Sequence, residues 1–161
     1  LNAASNQAFI GNLSTNWIGG QTTWFTYASD ARVKNEVAED VQGLDFIKLL
    51  RPVTYHLDIS AMSSITGNKE TEDYPGKYDV EKIKQSGFLA QEVAQAAIAS
   101  GYSFSGVTIP ENDHELYTVS YAQFVVPLVK AVQEQQVMID DLKKSNADLL
   151  VRLEALEKKI Q

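Results

Sequence analysis

The sequence predicts an α+β fold, a small mixed domain of short strands and helices followed by a long C-terminal helix. Three observations predict it. Apolar residues recur in heptads from Val125 to Ile160. Short alternating and short helical stretches, parted by polar loops, occupy residues 29–124. No charged side chain precedes Asp30. With 161 residues, 44% hydrophobic and 22% charged, the chain has a globular composition and the length to bury a core. Three compartments follow: 1–28, 29–124 and 125–161.

Residues 1–28 are rich in Asn, Ser, Thr, Gln and Gly, with Phe9, Trp17, Trp24, Phe25 and Tyr27 spaced among them. The stretch from Gln21 to Tyr27 suits strands, and Gly19-Gly20 suits a turn. Such a segment cannot close a core alone. It reads as the end of a β-rich stem lying upstream, and with no initiator Met the chain reads as a piece of a longer polypeptide.

In the middle compartment, Leu44 to Leu50 has the spacing of a short helix, stopped by Arg51-Pro52. Val53 to Leu57 alternates as a strand. Residues 59–83 are Ser-, Gly- and charge-rich and read as a long loop or projecting hairpin. Gly87-Phe88-Leu89 begins a second strand that runs into a helix from Gln91 to Ile98. Residues 101–116 read as loop. Tyr117 to Tyr121 alternates as a strand and feeds the long helix.

That helix carries Val125, Val132, Ile139, Asn146, Leu153 and Ile160 at a, and Leu128, Gln135, Leu142, Leu149 and Leu156 at d. Five heptads in one register are a coiled-coil signal. The stripe is too narrow for docking on a small domain along its whole length. β-branched a residues, Leu at d and an Asn at a lean toward two strands. Arg152 at g and Glu157 at the next e are placed to pair between chains. Val137, Leu150 and Val151 lie off the seam, as if the helix packs on something more than its coil partners. Pro127 fits a first turn or a kink.

Charge and composition exclude several classes. The net charge of −7 falls in residues 30–127, because 128–161 balance six basic against six acidic residues. Nucleic-acid binding needs clustered Lys and Arg. The absence of cysteine excludes disulfides, thiolate metal sites and a cysteine nucleophile. No apolar run approaches the roughly 20 residues of a membrane span. His56 sits in a strand and His114 in an acidic loop, without a second His at ligand spacing, so no metal and no cofactor is expected. Asp79, Glu81 and Glu92 show no pairing that suggests a glycosidase.

One pair of residues can carry chemistry. Ser29 and Lys34 stand at the junction between the uncharged leader and the acidic domain. A serine is a weak nucleophile until a base accepts its proton. A lysine is such a base only when neutral, which its free pKa of about 10.4 makes a matter of desolvation. At this position the hydroxyl can attack the carbonyl of Ala28, forming an ester by N-to-O acyl shift that water then cuts. Nucleophile and scissile bond share one chain, so orientation supplies the effective molarity.

The motifs Ser29-Asp30-x-Arg32-x-Lys34, Leu50-Arg51-Pro52-Val53-Thr54-Tyr55, Gly87-Phe88-Leu89-Ala90-Gln91-Glu92-Val93 and Tyr117-Thr118-Val119-Ser120-Tyr121 are followed by Val126-Pro127-Leu128-Val129-Lys130-Ala131-Val132-Gln133-Glu134. Their order resembles the C-terminal intramolecular chaperone domain of phage tail spikes and tail fibres, over residues 29 to about 139. That self-cleaving domain is also found in endosialidase tail spikes, phage neck appendages and the eukaryotic myelin regulatory factor. The resemblance implies a homotrimer with a parallel trimeric coiled coil, against the two-strand lean of the a and d residues. It implies a helper that brings the upstream stem of its own polypeptide into register and then cuts itself off. The helper would be a single-turnover serine endopeptidase acting in cis, with Ser29 and Lys34 as catalytic dyad.

The scissile bond is Ala28–Ser29 on the acyl-shift argument, or Ser29–Asp30 as in some descriptions of relatives. Such a domain works in the host cytoplasm during virion assembly and is absent from the mature virion. It binds neither nucleic acid nor membrane. The alternatives are a non-cleaving trimerisation tip of the same fold, and a receptor-binding tip whose loops 59–83 and 101–116 contact a host glycan.

Overall fold

The computed structural model describes residues 29–67 and 74–160, with residues 10, 15 and 18–21 ahead of them. Most of 1–28, and with it the β-rich stem reading, lies outside the described residues. The described chain is mixed: four helices, four short strands and three 3-10 turns, ending in a helix of 36 residues. It divides into two compact units.

One unit combines the described residues up to Ala38 with Pro52–Gly87 and Pro110–Leu116. Its ladder joins β1 (Val53–Tyr55) to β2 (Gln85–Gly87), antiparallel, with Val53 opposite Gly87 and Tyr55 opposite Gln85. The second strand thus starts earlier than its apolar residues indicate and stops where Phe88 and Leu89 begin. Residues 59–83 are not simply loop, because they contain the helix α2 (Ile59–Thr66) and a 3-10 turn at Asp79–Lys82.

The helix forms because both ends are satisfied. Asp58 accepts from the Ala61 N–H at 2.7 Å, Glu81 Oε1 accepts from the Ile59 N–H at 2.8 Å, and Gly67 takes the left-handed conformation at φ 66°. Ile59 and Val80 are the buried apolar residues of these two elements. The Ser-rich sequence of α2 hides the helix from a compositional reading, since its signal lies in the Asp58 and Gly67 caps.

The other unit combines Glu39–Arg51, Phe88–Ile109 and Tyr117–Gln161. Around Phe46, which is fully buried, gather Val93, Ala96, Ala97, Phe104 and Phe124. The Phe46 ring lies 4.9 Å from Phe104, which meets Phe124 edge-on at 4.8 Å. Phe46 belongs to α1 (Leu44–Ile47). The alanines belong to α3 (Ala90–Ala99), where small side chains let the rings approach. This helix ends in a Schellman motif: the Tyr102 N–H reaches the Ala97 carbonyl at 2.9 Å, and Gly101 supplies φ 66°.

A two-residue ladder, β3 (Val107–Thr108) with β4 (Thr118–Val119), lies within the region 101–121. Tyr121 leaves the strand and opens a 3-10 turn, Tyr121–Phe124, where its hydroxyl accepts from the Phe88 N–H at 3.0 Å. Then α4 runs from Val125 to Ile160. Only Pro127 and Ala131 on it are buried, and every described residue from Gln135 onward is exposed. Pro127 sits in the first turn, where a missing N–H costs nothing. Val137, Leu150 and Val151 are exposed as well.

Candidate active site at Ser29 and Lys34

A single turn brings the two junction residues together. Asp30 is extended (φ −73°, ψ 135°) and caps the 3-10 turn Ala31–Val33, its carboxylate accepting from the Arg32 N–H at 2.8 Å. The Val33 N–H reaches the Asp30 carbonyl at 3.1 Å, and the Lys34 N–H reaches the Ala31 carbonyl at 3.2 Å. This reversal returns the Lys34 side chain to Ser29, where Nζ donates to Oγ at 3.2 Å. The five-residue spacing is therefore the reach of one tight turn.

Arg32 holds the cap. Its guanidinium grips Asp30 at both oxygens, with Nε 3.0 and 3.1 Å away and the terminal nitrogen at 2.7 Å. That side-chain bond, then the backbone bond from Arg32, holds the Asp30 carboxyl below its ordinary range, and the same partner raises the Arg32 guanidinium. A depressed carboxyl supports the turn above the unfolded value of about 3.9. The support is lost as pH falls through the folded value.

The turn lies open to water, as does every residue from Ser29 to Asp40. Glu36, just beyond the lysine, takes φ 53°, a left-handed conformation uncommon for a side chain of its kind. Ala28, on the far side of the candidate scissile bond, lies outside the described residues. A hydroxyl 3.2 Å from an amine can lose its proton to that amine once the amine is neutral.

The two histidines serve the scaffold. His56 Nδ1 donates to the Glu81 carbonyl at 2.7 Å, and His114 Nδ1 donates to the Ile65 carbonyl at 3.2 Å. Among the described residues no group of three or more His, Cys, Asp or Glu is gathered for a metal ion, and no helix is long and apolar enough to cross a membrane. Arg51 and Glu92, from two of the quoted motifs, form an ion pair with two hydrogen bonds, Nε to Oε2 at 3.1 Å. The motif order alone does not show that Asp30 is the cap and Arg32 its clamp. The Asp-x-Arg spacing is the signal that carries both.

The family model described as chaperone of endosialidase matches residues 29–102. The match opens on Ser29 and takes in the Ser29-to-Lys34, Leu50-to-Tyr55 and Gly87-to-Val93 motifs. Residues 103–161, with the last two motifs, lie beyond it. No curated protein and no solved structure matches the chain. The resemblance is thus shown for residues 29–102, which match the chaperone-of-endosialidase family model. The name of that family model is a peptidase name.

Proposed function

We propose that this chaperone-of-endosialidase domain gathers three copies of its polypeptide through α4, brings an upstream tail-fibre or tail-spike stem into register, and then releases itself by cleavage at Ser29. The observation that carries the reading is the 3.2 Å approach of Lys34 Nζ to Ser29 Oγ at the first residues of the matched domain.

In the reaction, neutral Lys34 Nζ takes the proton of Ser29 Oγ as that oxygen attacks the carbonyl carbon of Ala28. A C–O bond forms, the C–N bond breaks, and the proton passes from the lysine to the departing Ser29 amine. Water then attacks the resulting ester, freeing the Ala28 carboxylate and restoring the Ser29 hydroxyl. Cleavage of Ser29–Asp30 is the alternative position for the same dyad.

Among the described residues nothing covers the 29–40 stretch, so the reading assigns the covering of the dyad to association with further copies. Cutting then reports assembly. The seam supports that order of events: Leu128, Val132, Ile139, Leu142, Leu149, Leu153 and Leu156 are all exposed on one helix, an apolar stripe that water disfavours and like helices bury.

Aligning three chains before their stem contacts form is the slow and entropically costly part of such a fold, and a C-terminal coil supplies it. Removing the helper leaves a trimer that is hard to unfold by a kinetic route. The site of action is the host cytoplasm during virion assembly.

The test is mass spectrometry of the chain expressed with an upstream tag. Release of a fragment ending at Ala28 supports the reading with the acyl shift, and release ending at Ser29 supports the alternative bond. An intact chain, in a trimer, makes the domain a non-cleaving trimerisation tip.

A further inference from the structure

Both oxygens of the Asp30 carboxylate are taken by one neighbour. Oδ1 accepts from the Arg32 N–H at 2.8 Å and from Arg32 Nε at 3.0 Å. Oδ2 accepts from the terminal guanidinium nitrogen at 2.7 Å and from Nε at 3.1 Å. The fork does little for the fold. The Arg32 side chain is 88% exposed and that of Asp30 45%, and an ion pair so open to water adds little to stability. Nor does the turn need it, since the cap itself is only the bond to the Arg32 N–H, which an uncharged asparagine would accept as well. What the fork does is occupy a carboxylate that stands next to the nucleophile.

That matters for Lys34. Consecutive Cα atoms lie about 3.8 Å apart, so a flexible side chain that reaches Ser29 Oγ at 3.2 Å also stands within range of residue 30. A carboxylate close to an amine favours the charged amine. The dyad needs the opposite, a neutral amine bonded to a hydroxyl. The other ionisable neighbour on this exposed stretch is Glu36, and among the described residues no side chain of another element bonds to residues 29–36.

We infer that Arg32 is a positioning residue that withholds the Asp30 carboxylate from Lys34 and so leaves the amine to Ser29. A guanidinium suits this task because its planar fork spans both oxygens at once, whereas an ammonium is a point charge. The inference rests on the proposed cleavage and deepens it. All four residues belong to one turn within one compact unit.

The experiment follows the cleavage rate of the full chain, expressed with an upstream tag, against pH. It compares Arg32→Gln, Arg32→Lys and the double variant Asp30→Asn/Arg32→Gln with the parent, and checks each by sedimentation. Arg32→Gln frees the carboxylate. The rising limb of its profile should move about one unit to higher pH, which makes cleavage at pH 7 about tenfold slower. Arg32→Lys should move the limb the same way by less. The double variant removes the carboxylate too and should bring the limb back to its parental position, whatever the height of the profile. Adding Glu36→Gln to Arg32→Gln should leave the shift in place.

A parental profile in Arg32→Gln overturns the inference, and so does a rate lowered equally at every pH, which is what a purely structural clamp would give. A shift that persists in the double variant makes the guanidinium charge itself the cause and overturns it as well, as does a reversal by Glu36→Gln. If Arg32→Gln does not fold, Arg32→Lys decides, a shifted limb supporting the inference and a parental one overturning it. Should the parent itself fail to cut, the cleavage reading fails, and an NMR titration of Lys34 Nζ in the intact chains decides on the carboxylate. A midpoint higher in Arg32→Gln and restored in the double variant supports the withholding role, and an unchanged midpoint overturns it.

Discussion

At Ser29 and Lys34 the chemistry depends on a turn that neither residue makes. Asp30 caps it and Arg32 clamps the cap, so the dyad's geometry belongs to four residues. Ser29→Ala should abolish cleavage, and Lys34→Ala should slow it by about 10²–10⁴-fold, the range of a lost general base. Both should leave the oligomer unchanged in sedimentation. If both variants still cut, the dyad assignment falls. Acid should loosen the turn, because the Asp30 carboxyl is held low by Arg32. Its support is complete above the unfolded carboxylate value of about 3.9 and fades as pH falls through the lower folded value. An NMR titration should show the Arg32 amide and the Asp30 carboxyl moving together below that pH, with no change between pH 5 and 8.

At the scale of elements, local caps account for what composition does not. Helix α2 lies in a stretch that reads as loop because Ser60, Ser63, Ser64 and Thr66 look like turn formers. Asp58 and Glu81 satisfy its first amides instead. Asp58→Ala should cost about 1 kcal/mol in a denaturant melt, the usual loss for an N-cap. Phe46→Ala removes the ring at the centre of the aromatic cluster and should cost about 3–5 kcal/mol. On α4 the two polar seam residues, Gln135 and Asn146, interrupt an otherwise apolar stripe. Replacing Asn146 with Ile should raise the melting temperature of the coil and loosen its choice of register or number, read by sedimentation. An unchanged melt would remove Asn146 from the seam.

For the whole molecule the long helix is the part that a single chain leaves unfinished. Truncation after Glu134 keeps every half-buried and buried residue of α4 and removes most of the a/d stripe. The shortened protein should sediment as a monomer and fail to cut, and a trimer of residues 29–134 would show that the head assembles by itself. Much of this was legible beforehand. The long helix under the heptads from Val125 to Ile160, the short helix at Leu44 and the strand at Val53 follow from periodicity and from Pro52, and the structure has these three elements. These are properties of neighbouring residues, and the backbone enforces them locally. Ser29 and Lys34 could be named as a pair from their spacing and place in the chain, but spacing cannot state a distance. The 3.2 Å approach needs the Asp30–Arg32 clamp. The use of Glu81 and Glu134 as remote acceptors at helix starts, and the contact of Gly43 with α4, join residues between about 20 and 90 apart. Periodicity carries no information at that range, because such contacts are selected by how the elements pack and by which buried amides still lack an acceptor.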